Sequence, residues 1–478
     1  MDARPFFVGG RETPRRPGFG VASPFDGGRV AEVGRAGPGD VEAALHAAER
    51  GFRAIRGTPA WKRAEILSAV ASRLAAERER FARTIALEAG KPIAQARAET
   101  ERAALTFRTA AEEALRIGGE VLPLDVLPGH EGRFALTRRF PVGPVACITP
   151  FNFPLNLVAH KVAPAIAAGC SFVLKPASKT PLSALDLAKV LLDAGTPPEA
   201  VSVLPLAGAE ASPLVEDPRI RAVSFTGSPQ VGWEVRRLAH RKRVVLELGG
   251  NAGLVVDRGA DLDAASARAV AGAFWQAGQS CISVQRIFAH EAVFEPFLEK
   301  LLSHVDALVV GDPLDERTTV GPVVAEEDAA RIESWIDEAR SGGAQVLRGG
   351  SRRGTLVEPT VLTGTRETMR VRALEVFGPV VAVEPVRSAL EGIEAVDRSD
   401  YGLQAGIFTS DLAVAIAAFE RIEAGAVVVN DVPTYRVDTM PYGGVKASGS
   451  GREGPRWAIE DYTEMRTLVV NAGTTART

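Results

Sequence analysis

Cys281 stands in GQSCISVQR (278–286), where Gly278 and Ser280 make a tight polar turn between a helical stretch and a strand-like one. A thiol at the end of an element can titrate more easily than one in an apolar core, and the thiolate is the nucleophile. Cys147 and Cys170 lie in apolar runs and read as small core residues. Glu247 falls in LELGGN (246–251), an apolar strand that runs into Gly249-Gly250. A strand-end carboxylate beside a glycine turn is placed for general-base work, although alone it also reads as an exposed strand end. Asn152 in TPFNFPL (149–155) follows a buried strand, with Pro150 and Pro154 fixing the backbone around it. Its amide is a candidate donor to a developing oxyanion, or else an Asx-turn or helix cap.

A second group of residues is suited to holding an anion. No G-x-G-x-x-G follows a strand. Instead FTGSPQVG (225–232) closes a strand and opens a helix, with Gly227 and Ser228 at the helix N-terminus. Backbone N–H groups there form a ready anion site, fit for a pyrophosphate. Lys175 in VLKPASKTP (173–181) ends a strand that Pro176 terminates, so its ammonium projects from the sheet's carboxyl edge. Open α/β sheets bind ligands at that edge. Glu375 in EVFGPVV (375–381) is a candidate hydroxyl acceptor with Phe377 as an apolar wall. Singly, each of these also reads as an ordinary surface, loop or core residue.

The elements that must position these groups alternate. The first 40 residues read as short strands and turns. Asp40 sits where an N-cap would, ahead of Val41, Ala44, Leu45 and Ala48 on one helical face. A long amphipathic helix is expected from Trp61 to a C-cap at Gly90, and another from about Ile93 to Ile117. From Val142 onward VACIT (145–149), SFVL (171–174), VSVL (201–204), AVSF (222–225) and VVLEL (244–248) read as strands with helices between. The pattern resumes after Gly249 with GLVV (253–256), Val284 to Ala289, VEPTVL (357–362), PVVAVEP (379–385), LQAGIFT (403–409) and AVVVN (426–430). Strands alternating with helices predict parallel sheets wound by right-handed crossovers. Two α/β units joined near residue 248 are the economical reading. The segment Glu120 to Arg139 has hairpin character, and the tail TEMRTLVV (463–470) is strand-like without a partner in its own unit. Such isolated pieces often complete a sheet in a neighbouring subunit, so an oligomer is expected.

Composition narrows the function. The 478 residues carry 56 Lys+Arg against 59 Asp+Glu, a formal charge of −3, so nucleic acid is not an expected partner. Three cysteines are too few and too scattered for a disulfide scaffold or a thiolate cage, and the six histidines show no ligand spacing, so no metal is expected. The segment MDARPFFVGGRETPRRPG has no apolar core of signal-peptide length, and the best apolar run, Leu157 to Leu174, contains His160 and Lys161. No membrane association is expected, and the cytoplasm is the expected compartment.

Together TPFNFPL, VLKPAS, FTGS, LELGGN, GQSC, EVFGPVV and MPYGGVKASGSGREG (440–454) resemble, in order and spacing, the aldehyde dehydrogenase superfamily, from about residue 20 to about 470. The resemblance implies two doubly wound parallel-sheet domains with a small β oligomerisation extension. Residues 1–119 and 140–248 would form a Rossmann-like NAD(P)-binding domain and 249–457 a catalytic domain. Residues 120–139 and 458–478 would form the oligomerisation hairpin and tail of a homodimer or homotetramer. It also implies that Cys281 attacks a small aldehyde, that Asn152 and the Cys281 N–H hold the oxyanion, and that Glu247 activates the water that hydrolyses a thioester. Lys161 is implied as a lysine that helps proton movement. Lys175 and Ser178 would meet the adenosine ribose, Ser228 the pyrophosphate, and Glu375 the nicotinamide ribose, with Phe377 beside it. Thr149, Pro150, Phe151, Gly227 and Gly249 would line the same NAD or NADP site.

Ser178 stands where many NAD-preferring members carry Glu, whose carboxylate would repel a 2′-phosphate, so NADP is expected to be tolerated. NDVPTYRVDTMPYGG (430–444) resembles members acting on lactaldehyde, phosphonoacetaldehyde or other small oxygenated or anionic aldehydes. Arg108 and Arg436 are the expected anchors for a substrate anion. The alternatives are a succinate-semialdehyde type of enzyme, a CoA-acylating relative, a cofactor-free thiol esterase, and a silent binding protein. Glu247 speaks against CoA acylation, Lys175, Ser228 and Glu375 against the esterase, and the intact Cys281, Glu247 and Asn152 against silence.

Overall fold

The computed structural model describes residues 3–14 and 18–473. Residues 1–2, 15–17 and 474–478, the last of which end the expected tail, lie outside the described residues. Short apolar runs such as Val145–Ile148 and Phe172–Lys175 are buried along their whole length, as strands covered by helices on both faces must be. They form an eight-stranded sheet in the order Arg11–Thr13, Phe6–Val8, Val201–Val203, Phe172–Lys175, Val145–Ile148, Ala222–Thr226, Arg243–Glu247, Gly449–Ser450. The five strands from Val201–Val203 to Arg243–Glu247 are mutually parallel. Chain order reverses between Val145–Ile148 and Ala222–Thr226, so a topological switch point opens at their carboxyl ends, where Thr149 and Gly227 begin.

A seven-stranded sheet follows in the order Gln345–Arg348, Thr360–Thr363, Val380–Val386, Val284–His290, Ala252–Val256, Gln404–Phe408, Ala426–Val429. All its neighbours are parallel except the first pair. The chain passes from Glu247, the last residue of its strand, through Gly249-Gly250 into Ala252–Val256. Each sheet has its own apolar core. The carboxyl edge of the first sheet therefore meets the amino edge of the second, and the cleft lies between them. Gly449–Ser450, read from the sequence with the second unit, pairs instead beside Glu247 in the first sheet.

Two local expectations change. Asp40 is not the N-cap of its helix, Pro38–Gly57; Gly37 is, and the Asp40 carboxylate one turn in accepts from the Gly37 N–H at 2.9 Å. The helix expected from Trp61 to Gly90 is two, Ala60–Ala76 and Arg78–Ala89, broken at Glu77 with φ −102° and ψ 22°. The tail has no partner in either α/β sheet, as expected, but it pairs with the hairpin of its own chain. Thr463–Asn471 pairs along its length with Arg133–Pro141, which in turn pairs with Val121–Pro123. Local periodicity carries no information about a partner that distant in the chain.

Candidate active site

The strand Arg243–Glu247 delivers Glu247 to the end of the first sheet, with its side chain buried and neither carboxylate oxygen holding a hydrogen-bond partner among the described residues. Burial, and then the neighbouring Glu453, hold its pKa well above the usual carboxylate range against the pull of Arg436 and Lys161. Cys281 comes from the other side, between the turn Trp275–Gly278 and the strand Val284–His290. That turn places Gln276, Ala277 and Gly278 in succession at φ 50°, 53° and 67°. Two non-glycine residues held left-handed need outside support. Gln95 Oε1 accepts the Gln276 N–H at 2.8 Å, and the Gln276 amide donates to the Asn152 carbonyl.

Asn152 Nδ2 donates to the Gln279 carbonyl at 2.9 Å. A carboxamide nitrogen carries two protons, so one remains for an oxyanion beside Cys281. The glycines of LELGGN are there for close approach. A Cβ at Gly250 would lie 2.0 Å from the Cys281 carbonyl oxygen, and one at Gly249 would lie 2.4 Å from Glu375 Oε2. The Gly250 N–H donates to Glu375 Oε1 at 2.9 Å. Burial pushes the Glu375 carboxyl up to about 7. Cys281, Glu247, Asn152, Ser228, Gly249, Glu375 and Phe377 line one cavity of about 270 Å³.

A second cavity of about 350 Å³ shares Pro150, Phe151, Thr226 and Gly227 with the first and continues along the switch point past Thr149, Lys175 and Ser178. Lys175 has no hydrogen-bond or ion-pair partner among the described residues, and burial lowers its pKa. Ser228 is the N-cap residue of the helix Pro229–Leu238, with its hydroxyl unused as a cap. Gly232 serves packing: a Cβ there would lie 2.2 Å from Leu248 Cδ2. Ser178 Oγ donates to the Leu206 carbonyl at 2.9 Å, and Lys179 is held by Glu327 at 2.8 Å. Phe377, at φ 50°, meets Phe151 edge to face at 5.8 Å, and both rings line the first cavity. The residues present suit a dinucleotide: an orphan ammonium, a helix N-terminus, and a carboxylate with one oxygen uncommitted.

Of three further expected residues, two do not line the cavity. Arg108 is exposed and lines neither cavity. Lys161 is buried behind the site, donating to Ser224 Oγ and Glu453 Oε1 at 3.0 Å each. Arg436 does line the cavity, yet its guanidinium also pairs with Glu453 at 3.2 Å and stacks 3.6 Å from the centre of the Tyr442 ring. Sequence reasoning missed Arg102, which lines the cavity and pairs through two nitrogens with Asp438 at 2.8 and 2.9 Å. It also missed Glu453 and Tyr442, although both sit in MPYGGVKASGSGREG. Among the described residues, no group of three or more His, Cys, Asp or Glu side chains is arranged to hold a metal ion.

A half-buried thiol, an amide donor and an unpartnered buried carboxylate at the mouth of a nucleotide-sized cleft define a cysteine-dependent enzyme of carbonyl chemistry. The Aldehyde dehydrogenase family profile matches residues 11–468, and the chain belongs to that family of oxidoreductases. It is 46% identical over 444 residues to a 3-sulfolactaldehyde dehydrogenase of Priestia megaterium, covering 92% of each chain. Its fold superposes on aldehyde dehydrogenase 21 of Physcomitrella patens, solved with the reaction product succinate, at a TM-score of 0.96 with 40% identity and 99% of each chain covered. It superposes equally, at 0.96 with 34% identity, on an NADP-dependent glyceraldehyde-3-phosphate dehydrogenase of Bacillus halodurans, covering 99% of this chain and 100% of that one.

Proposed function

We propose that this enzyme oxidises a small anionic aldehyde to its carboxylic acid with NAD or NADP, through a thioester on Cys281. The observation that carries the reading is the meeting of Cys281, Asn152 and Glu247 in one cavity that Arg102 and Arg436 also line. The thiolate attacks the aldehyde carbon, and the displaced electron pair settles on the oxygen, where the second Asn152 N–H and the Cys281 N–H receive it. NAD(P), when bound along the switch point, supplies the hydride acceptor. Loss of hydride leaves an acyl group on Sγ. Glu247, ionised, takes a proton from water, whose oxygen attacks the acyl carbon and expels the thiolate. A thiolate is both a good nucleophile and a good leaving group, so one residue serves both halves.

The two arginines support an anionic substrate. Such a class would include the sulfonate named for the Priestia relative and the dicarboxylate product named for the moss enzyme. Lys175, with no carboxylate at position 178 to repel a 2′-phosphate, supports acceptance of NADP; a Ser178→Glu variant should lose NADP activity selectively. Cys147 and Cys170, both buried and free, fit a reducing compartment such as the cytoplasm. The test follows reduced-cofactor absorbance with NAD or NADP and matched anionic and neutral short aldehydes, with and without CoA. Turnover that needs CoA, or none with any aldehyde, sinks the reading.

A further inference from the structure

The Cys281 sulfur has one hydrogen-bond partner among the described residues, and it is not Asn152 or Glu247. Sγ lies 3.1 Å from the Tyr442 hydroxyl. The residue that carries the hydroxyl is fixed through its backbone and its ring. The Tyr442 N–H donates to the Glu453 carbonyl at 3.1 Å and the Glu453 N–H returns the bond at 2.6 Å. Gly443, next in the chain, packs so tightly that a Cβ there would lie 2.8 Å from Glu247 Oε1. The ring is buried, with the Arg436 guanidinium stacked 3.6 Å from its centre. One short backbone segment thus touches the nucleophile and abuts the base.

We propose that the Tyr442 hydroxyl is a further catalytic group, a fixed hydrogen-bond donor that favours the thiolate form of Cys281. In the neutral site the S–H donates to the phenol oxygen. When the thiol proton leaves to solvent, the O–H turns and donates to the anionic sulfur, a stronger charge-assisted bond. Tyr442 keeps its own proton throughout, so no group is transferred through it. The need for such a donor is evident in what surrounds the sulfur. Burial, with the Glu375 and Glu247 carboxylates adding to it, pushes the thiol up to about 12, while the Tyr442 hydroxyl, second only to burial in size, and the Arg436 charge act against them. The phenol is held well above its usual range by burial first and then by Cys281, so it stays a donor at neutral pH. The stacked guanidinium draws on the ring's electrons and strengthens that donor.

The consequence for catalysis rests on the aldehyde-oxidising reading, but the test does not. Iodoacetamide alkylation of the cofactor-free enzyme is followed from pH 5 to 11, with Cys281→Ser as the background for the buried Cys147 and Cys170. Tyr442→Phe, which keeps the ring under Arg436, should slow alkylation about tenfold at every pH in that range, because below its inflection the thiolate fraction falls tenfold for each unit the thiol's pKa rises. A profile that superposes on the unsubstituted enzyme overturns the proposal. Should Tyr442→Phe not fold, 3-fluorotyrosine placed at all four tyrosines of the unsubstituted chain lowers the phenol's own pKa and should speed alkylation across the same pH range. An unchanged rate overturns the proposal in that experiment. Aldehyde turnover is measured separately: an enzyme with the alkylation shift but no turnover keeps Tyr442's role and loses the functional reading, and the converse loses only Tyr442.

Discussion

Glu247 is a buried carboxylate with no donor on either oxygen among the described residues, a cost to folding that points to work for the group. Its work as a base requires the ionised form, so the water-activating half-reaction should strengthen as pH rises through its elevated pKa. Glu247→Gln should still acylate: about one equivalent of reduced cofactor per site appears in a rapid burst, and steady turnover falls at least about a hundredfold. Loss of the burst as well would place Glu247 in the first half-reaction. Linkage gives an opposite trend for stability. The fold binds this proton more tightly than the unfolded chain, so the native state loses stability as pH climbs from 4.5 toward the raised value. The Gln variant escapes that loss, and its thermal midpoint should exceed the parent's more at pH 8 than at pH 5. The substrate end of the cavity gives another residue-scale test. Arg102→Ala should raise KM for an anionic aldehyde about tenfold to a hundredfold, the worth of a charge-assisted bond, with little change for a neutral one. Arg108→Ala should change neither. These two arginines show where the sequence stops informing. They border the buried stripe of Ala103, Phe107 and Ala110 on the helix Ile93–Arg116, and six residues of helix set them about 240° apart. Periodicity marks the stripe and leaves open which flank meets the cleft. Asn152 and Glu247 were legible because each puts a polar group that a core would not choose into an apolar or glycine-marked run, and Cys281 because it sits in a polar turn, GQSC, where a core cysteine would not. Tyr442 was in plain view without a role, because its hydroxyl meets Sγ only through folding across 161 positions of sequence.

At the scale of elements, the site is an edge-to-edge meeting of two sheets, and glycine is what lets the edges close. Gly249 lies at the exit of the strand Arg243–Glu247, where a Cβ would collide with Glu375 Oε2. Gly249→Ala should push that carboxylate away from the Gly250 N–H and toward the cleft. Cofactor KM should rise about tenfold or more while alkylation of Cys281 without cofactor stays near its original rate, since the added methyl points at Glu375 and not at the thiol. Equal loss of both would mean that the whole loop had moved. The strands that feed this edge were legible in the sequence to within a residue or two, because a covered parallel strand is a short apolar run with glycine or proline at its end. Helix ends were less so. Apolar spacing continues across Glu77, and only the backbone there breaks the stretch from Trp61 to Gly90 in two. The Asp40 carboxylate was correctly seen as a helix-start signal, but taking it for the N-cap starts the helix three residues too late, since a capping aspartate reads alike at the N-cap and at N3.

On the scale of the whole molecule, the three-stranded sheet of Val121–Pro123, Arg133–Pro141 and Thr463–Asn471 stands apart from both cores. It satisfies its own inner hydrogen bonds, yet the outer edge of Thr463–Asn471 pairs with nothing among the described residues. Met465 and Leu468 on that strand are 57% and 60% exposed, and Val121 across the sheet is 70% exposed. A nine-residue edge strand with bare apolar side chains invites pairing with another chain unless a subunit already covers it. The expected cover is a second copy of the enzyme, with the sheet as the self-complementary patch of a closed assembly. Met465→Glu with Leu468→Glu should then lower the mass measured by light scattering to that of a smaller assembly or of the 50.5 kDa chain. Neither residue touches the cleft, so the thiol alkylation profile of the dissociated protein reports whether the site depends on its neighbour. A profile that survives dissociation makes the catalytic unit the single chain. One that fails assigns the assembly the task of holding the two sheet edges in register, a job that the first sheet's recruitment of Gly449–Ser450 beside Glu247 already performs in part within the chain.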